Sequence, residues 1–154
     1  MRSSVIRWAL GLAVFAVAAA PVASAAPIAG ASCPADWSDV FTSDGSAFIE
    51  CAGGSWQPVA EPFAPGDRWA SFPGPGLTLS GQGRRNPQIL SGQWTATPMD
   101  AGKVCSVEQA AVTDAGVAAP TVVTGQPGAV STFEVLPADF TITLSGPCLW
   151  ERIG

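Results

Sequence analysis

The chain has 154 residues, with 12 acidic and 7 basic side chains and no histidine, for a net charge of −5 at pH 7. Because phosphate contacts require Lys and Arg, this acidic composition excludes nucleic acid as a partner. Without histidine the chain lacks the usual general base, the Ser-His-Asp triad and the most common zinc ligand. We therefore expect no cofactor and no metal, and we find no catalytic motif.

Residues 1–25 have the three-part pattern of a secretory signal peptide. Arg2 and Arg7 form the positive region, residues 8–20 form the apolar run, and Ala23-Ser24-Ala25 is a small-residue cleavage site. The apolar run holds about 13 residues, whereas a membrane span needs about 20. An uncleaved anchor is the alternative, and we prefer cleavage. The mature chain is then expected to have no membrane span, to be monomeric, and to be secreted, either extracellular or associated with the cell envelope.

Four cysteines follow the signal peptide: Cys33, Cys51, Cys105 and Cys148. An even number of cysteines in an exported chain predicts disulfide bonds. Of the three pairings we favour Cys33–Cys51 with Cys105–Cys148, because each bridge then closes a loop within one half of the chain. Loop-closure entropy assigns these bridges about 3 and about 4 kcal/mol, a large share of the net stability of a small domain.

The first part of the mature chain is predicted as three segments. Residues 26–32 are small and apolar, and we expect a flexible lead-in. Residues 33–59 are predicted to form a small disulfide-closed hairpin unit that turns at Ala52-Gly53-Gly54. Residues 60–76 contain four prolines and three glycines. Because proline cannot donate to a strand ladder, this segment is predicted to be an ordered coil or an edge, and not a central strand.

Residues 77–154 carry the strongest strand signal. Apolar and polar residues alternate, as expected for half-buried strands, in Leu77–Ser80, Ile89–Thr97, Ser131–Leu136 and Phe140–Trp150. The last two of these stretches are expected to pair through the turn at Leu136-Pro-Ala-Asp139.

Residues 103–113 fit both a helical face and a strand, and we prefer the strand because the neighbouring segments are strands. The whole chain is thus predicted to be mainly β, an antiparallel β-sandwich or small barrel, Ig-like in style. Residues 77–154 form the sandwich, and 33–154 are expected to make one compact domain.

Short pieces of the sequence carry two resemblances. At Cys51-Ala-Gly-Gly-Ser-Trp56 the chain resembles a piece that recurs in unrelated secreted modules, which implies a hairpin whose indole packs on the disulfide. The Ala-rich signal, the four cysteines, the Trp-rich proline/glycine coil and the end Gly146-Pro-Cys-Leu-Trp-Glu-Arg-Ile153 are similar to small exported proteins of mycobacteria and related high-GC Gram-positive bacteria. This resemblance implies secretion and an envelope setting, and it includes no active-site motif.

Five tryptophans follow the signal peptide, and four of them bear on binding. Trp94 and Trp150 lie at inward parity in predicted strands, so they are expected to fill the core. Trp37 and Trp69 lie in irregular acidic or proline-rich segments and are better candidates for exposure. Since flat sugar faces stack on indoles, an exposed pair would suit a glycan-binding module.

Arg84 and Arg85 are the only adjacent basic pair in the sequence, on a polar loop between predicted strands. Loops held by a rigid scaffold often carry recognition, so these arginines would dock an acidic partner or a phosphorylated glycan, or pair with nearby carboxylates.

Three functions follow. The first is a non-enzymatic, disulfide-stapled β-domain that binds a protein or glycan of the cell envelope. The second is a glycan-binding module with exposed tryptophans. The third is a small carboxylate-dependent hydrolase, which would use a pair of acids from one of three groups: Asp36 with Asp39 and Asp44, Glu61 with Asp67, or Glu134 with Asp139.

Overall fold

The computed structural model describes residues 25–154, so the predicted signal peptide lies almost entirely outside the described residues. The described chain contains twelve strands and one three-residue 3₁₀ helix, Ala35–Trp37, and it has no helix long and apolar enough to cross a membrane. The strands are β1 (Phe41–Ser43), β2 (Phe48–Ala52), β3 (Ser55–Pro58), β4 (Arg68–Ser71), β5 (Leu77–Ser80), β6 (Gly92–Pro98), β7 (Ser106–Thr113), β8 (Gly116–Val117), β9 (Thr121–Thr124), β10 (Ser131–Val135), β11 (Asp139–Ser145) and β12 (Cys148–Arg152).

These strands form two sheets, which confirms the prediction of a mainly β, sandwich-like fold. The first sheet has seven strands in the order β10-β6-β12-β4-β1-β2-β3. The second has five strands, in the order β5-β11-β7-β8, with β9 also paired to β7. Neighbouring strands are antiparallel, apart from β1 and β4, which run parallel where Phe41 lies beside Trp69.

The stretch Phe140–Trp150 reads as one strand in the sequence but forms two strands in different sheets. β11 belongs to the second sheet and β12 to the first, and the chain crosses between them at Gly146 and Pro147. Gly146 has φ of 93°, and a Cβ there would collide with the carbonyl oxygen of Val104, so only glycine suits the bend. The predicted inward parity survives the crossing, since Ile142, Leu144, Cys148 and Trp150 are buried. Phe140 was predicted on the same face but is only half-buried, because the pairing with β7 shifts register between Asp139 and Thr141.

The hairpin expected between residues 131–136 and 140–150 does not form. The turn itself is present, because the Asp139 N–H donates to the Leu136 carbonyl at 3.0 Å. It carries the chain from one sheet to the other, so β10 pairs with β6 whereas β11 pairs with β5 and β7. A turn signal fixes the reversal of the chain and leaves open which sheet the next strand joins. The preference for a strand within residues 103–113 is confirmed by β7.

The main core lies between the two sheets and takes its side chains from both. Trp94 and Trp150 are buried there, as predicted. Other buried members of this core are Trp69, Leu77, Leu79, Ile89, Ala96, Cys105, Val107, Phe133, Val135, Ile142, Leu144 and Cys148.

A second, smaller core covers the other face of the first sheet, where Trp56 packs in one cluster with Cys33 and Cys51. The hairpin of β2 and β3 sets Cys51 opposite Trp56, as the resemblance implied.

Three boundaries differ from the sequence prediction. The predicted flexible lead-in is paired with β3, since the Gly30 N–H donates to the Trp56 carbonyl at 2.7 Å and the Trp56 N–H to the Ala31 carbonyl at 2.8 Å. The predicted hairpin unit of residues 33–59 contributes β1, β2 and β3 to the same sheet as the later strands. Residues 60–76 were expected to contain no central strand, and this prediction is wrong. β4 lies between β12 and β1, because its four residues contain neither proline nor glycine.

Both favoured disulfides are confirmed, Cys33–Cys51 and Cys105–Cys148, each with a Cα–Cα distance of 5.9 Å. Cys105 directly precedes β7 of the second sheet, and Cys148 begins β12 of the first. This bridge therefore ties the two sheets together beside the Gly146 crossing.

We predict that removing the bridge between the sheets destabilises the protein more than removing the other. The double substitution Cys105→Ala/Cys148→Ala should lower the free energy of unfolding by about 4 kcal/mol, and Cys33→Ala/Cys51→Ala by about 3 kcal/mol, because the first bridge closes the longer loop. Urea denaturation followed by tryptophan fluorescence measures both values. Equal or reversed losses would contradict this ranking.

Candidate binding surface

The loop between β5 and β6 is fastened to the second sheet by its backbone. The Gly81 N–H donates to the Phe140 carbonyl at 3.1 Å, and the Gly83 N–H to the Asp139 carbonyl at 2.8 Å. A Cβ on either glycine would collide with the Asp139 carbonyl, so glycine allows this close approach. At the far end of the loop, Gln88 makes two bonds to Ser80. Its N–H donates to the Ser80 carbonyl, and its side-chain Oε1 accepts from the Ser80 N–H, both at 2.8 Å.

Arg84 and Arg85 lie exposed on this fastened loop. The Arg84 guanidinium carbon lies 4.8 Å from the centroid of the Phe140 ring, a distance typical of a cation–π contact. Within residues 25–154 neither arginine forms an ion pair; Arg68 pairs with Glu151 instead. The two charges therefore remain available to a ligand. Asn86 follows with φ of 55°, a left-handed conformation that asparagine tolerates.

A groove of about 190 Å³ lies beside this loop, and we call it the 61/88 groove. It is lined by Glu61, Pro62, Phe63, Asn86 and Gln88. The Gly66 N–H donates to the Gln88 carbonyl at 3.0 Å, and this bond brings the two walls together. The Gln88 amide also donates to Glu61 Oε1 at 3.5 Å. The groove thus places an aromatic ring, two amides and one carboxylate around a small space.

The aromatic wall of the groove is supported from behind by three other rings. Phe63 stacks on Phe41 with centroids 5.4 Å apart and an interplanar angle of 8°. Phe48 meets Phe63 edge-on at 5.5 Å, and Trp69 lies 6.2 Å from Phe63. Trp69 itself is 0% exposed, so the expectation that it forms an accessible platform is wrong. It is buried because β4 is a central strand, and its indole donates to the Gly66 carbonyl at 3.2 Å.

Trp37 lies in the second core, on the other side of the first sheet from Trp69. It is half-buried and meets Trp56 edge-on at 6.2 Å, with Phe72 at 6.3 Å. Hence the structure does not bring the predicted site residues together. Arg84 and Arg85 share a loop, whereas Trp37 and Trp69 serve separate cores.

In the first acidic group, Asp44 has a local structural role. Asp44 Oδ1 accepts hydrogen bonds from the Ser46 and Ala47 N–H groups at 2.8 and 2.9 Å, and these bonds lower the pKa of Asp44. Glu61 lines the 61/88 groove without Asp67. Among residues 25–154 no group of three or more acids or cysteines is arranged to hold a metal ion.

Glu134 and Asp139 do line a common cleft of about 170 Å³ between the sheets. Asp139 is 2% exposed, and its Oδ2 accepts from the Leu136 N–H at 2.7 Å and from the Gln109 amide at 3.0 Å. Both bonds hold the turn that enters β11. Asp139 therefore has a structural task that the sequence did not indicate.

A scan against protein-family models, a search of curated proteins and a search of solved structures each return no match to this chain. The groove was missed in the sequence because Glu61 and Gln88 are 27 positions apart and neither belongs to a motif. One local signal was present: Phe63 lies in a proline-rich segment, where a large aromatic needs a packing partner.

We predict that Asp139→Ala lowers the free energy of unfolding by about 2–3 kcal/mol, because it leaves the Leu136 backbone N–H and one N–H of the Gln109 amide without an acceptor. Glu134→Ala, a change of an exposed acid in the same cleft, is the matched control and should cost less than about 0.5 kcal/mol. Urea denaturation of the two variants provides the comparison. Similar values for both would remove the structural role assigned to Asp139.

Glu50 on β2 supplies a pH-dependent prediction. Burial, and then the nearby Asp39 carboxylate, raise the pKa of Glu50 above its ordinary value. The folded state then binds more protons than the unfolded state, so this group makes stability fall as pH rises through the interval between the two pKa values. Glu50→Gln should raise Tm by about 1–2 °C at neutral pH. The gain should vanish below about pH 4, where both states carry the protonated acid.

Thermal unfolding at the two pH values measures the Glu50 effect. Glu108→Gln is the control, since Glu108 is an exposed acid on β7. A gain that persists unchanged in acid would show that charge is not its cause.

Proposed function

We propose that this chain is an exported, non-catalytic β-domain that binds a glycan of the cell envelope in the 61/88 groove, with Arg85, the residue before Asn86, available to the ligand. One observation carries the proposal: the ring of Phe63, the Asn86 and Gln88 amides and the Glu61 carboxylate converge on one small space. Sites for small ligands combine apolar walls with a few polar groups in this way.

The chemistry of the groove suits a sugar. A pyranose ring offers a flat C–H face that packs on an aromatic ring, and its hydroxyls both donate and accept hydrogen bonds. Phe63 supplies the ring, and its stack on Phe41 keeps it in place. Amides provide donors and acceptors together, whereas a carboxylate provides acceptors. The groove therefore matches each part of a sugar with a side chain of the corresponding kind.

Preorganisation supports binding at this place. The Gln88 side chain is already held by the Ser80 N–H, and the loop is bonded to β11 at Gly81 and Gly83. Little conformational entropy is then lost when a ligand enters, and affinity improves accordingly. Arg85 adds a positive charge without an intramolecular ion pair in residues 25–154, which favours glycans with acidic substituents over neutral ones.

The hydrolase alternative has one observation in its favour, the shared cleft of Glu134 and Asp139. Catalysis by two acids requires both carboxyl groups to be free to exchange protons or to attack. One oxygen of Asp139 already accepts two hydrogen bonds that hold a turn. This engagement supports a structural role, so we place binding ahead of hydrolysis.

We predict binding of acidic envelope polysaccharide by the oxidised, exported protein, measured by isothermal titration calorimetry against fractionated polysaccharide. Arg85→Ala and Glu61→Gln should each weaken binding about tenfold, the loss expected for one hydrogen bond to a charged group. Lys103→Ala is the matched control, because Lys103 is an exposed cation outside the groove.

The proposal would be overturned by either of two results. One is the absence of heat with every polysaccharide fraction while the protein is shown to be folded. The other is binding that Arg85→Ala, Glu61→Gln and Lys103→Ala all leave unchanged.

A further inference from the structure

The two sheets have five edge strands, β3, β5, β8, β9 and β10, and other parts of the chain cover some of the outward backbone groups on three of them. Residues 30–33 bond to the outer side of the β3 hairpin. Gln88 covers β5 at Ser80, and the Gln109 amide donates to the Glu134 carbonyl on β10 at 2.8 Å. Such coverage is how proteins prevent edge strands from pairing with other chains.

β9 is an edge strand whose outward side is not covered in this way within the described residues. The Gly125 N–H donates to the Cys105 carbonyl at 2.9 Å, which fixes the odd-numbered residues as those that bond to β7. The N–H and C=O groups of Val122 and Thr124 therefore point away from the sheet. In residues 25–154 no backbone or side-chain group bonds to them on that side. These outward N–H and C=O groups are therefore available to pair with a further strand.

The usual protections are also missing along this edge. Residues 115–133 contain no Lys, Arg, Asp or Glu, although the chain as a whole is acidic. All four residues of β9 are exposed, with Val122 at 59% and Val123 at 46%. Lysine and proline commonly block edges, and here the prolines, Pro120 and Pro127, lie outside β9 itself.

We propose that a second copy of this chain occupies the edge, in place of the monomer expected from the sequence, so that two β9 strands pair antiparallel about a twofold axis at Val123. In this register Val122 of each copy lies opposite Thr124 of the other. All four residues direct their N–H and C=O groups outward, so four backbone hydrogen bonds form. An axis at Val122 would instead set Thr124 opposite Pro120, which has no N–H. An axis between Val122 and Val123 would set a residue whose N–H and C=O point outward opposite one whose N–H and C=O point toward β7, so the hydrogen bonds could not form.

The absence of charge along this edge allows two acidic copies to meet here without close repulsion. The nearest acid to the proposed interface on this sheet is Glu108, which lies opposite Val122 on β7. In the dimer, three strand spacings separate the β7 strand of one copy from the β7 strand of the other. The two β7 strands, which carry Glu108, are then about 14 Å apart, beyond the Debye length of about 8 Å at physiological salt. The interface is short, so association should depend on concentration.

The test is sedimentation equilibrium of the oxidised, exported protein across a concentration series. Val122→Pro removes an N–H that points away from β7, so it should leave the fold intact and remove two of the four intermolecular bonds. Dimerisation should weaken about 30-fold, equivalent to about 2 kcal/mol at about 1 kcal/mol per bond. Val122→Thr keeps the N–H and is the matched control, with an expected change below about threefold.

A second measurement keeps the inference testable if Val122→Pro perturbs the strand. Amide hydrogen exchange at Val122 and Thr124 of the unmodified protein should slow as concentration rises, while exchange at Gly125 should not respond. Two outcomes would refute the β9 dimer: a monomer at every concentration, or a dimer that Val122→Pro and Val122→Lys both leave intact. Because no glycan is present in these measurements, they are independent of the proposed function.

Discussion

The fold depends on one crossing, where the chain leaves β11 at Gly146 and enters β12 at Cys148. Two constraints act within these three residues. Gly146 lies so close to the Val104 carbonyl that no side chain fits, and Cys148 is bonded to Cys105 at the start of β7. The covalent bridge and the close approach therefore join the same two elements. The two sheets cannot separate without breaking one and opening the other, and the core between them is held at this corner.

The candidate site is positioned from the other end of the same strand. β11 begins at Asp139, whose carbonyl accepts the Gly83 N–H, while the Phe140 carbonyl accepts the Gly81 N–H and its ring lies under Arg84. The loop that carries the arginines thus rests on the strand that the disulfide fixes. Its opposite wall comes from the coil before β4, which is anchored by the stack of Phe63 on Phe41. Backbone hydrogen bonds and packed aromatic rings thus connect the groove to the crossing.

Local patterns in the sequence predict what is local in the structure. Alternation with period two correctly identifies the buried faces of β6, β11 and β12, and the even cysteine count leads to both bridges. Sheet membership is not local, so the β10–β11 hairpin was predicted wrongly although its turn exists. Trp69 illustrates the same limit. Its four-residue strand is flanked by proline and glycine, and only pairing with β12 and β1, distant in sequence, makes it central.

The side chains that cover the sheet edges contribute to stability and, at Gln88, to the proposed binding site. Two glutamines, Gln88 and Gln109, cover edge groups with side-chain amides, which satisfy the backbone without adding charge. Gln88 also lines the 61/88 groove, so the side chain that covers β5 also forms a polar wall of the proposed binding site. No equivalent side chain covers the outer groups of β9 in the described part of the chain. An uncharged and uncovered strand of this kind is a place where another chain can add without displacing anything.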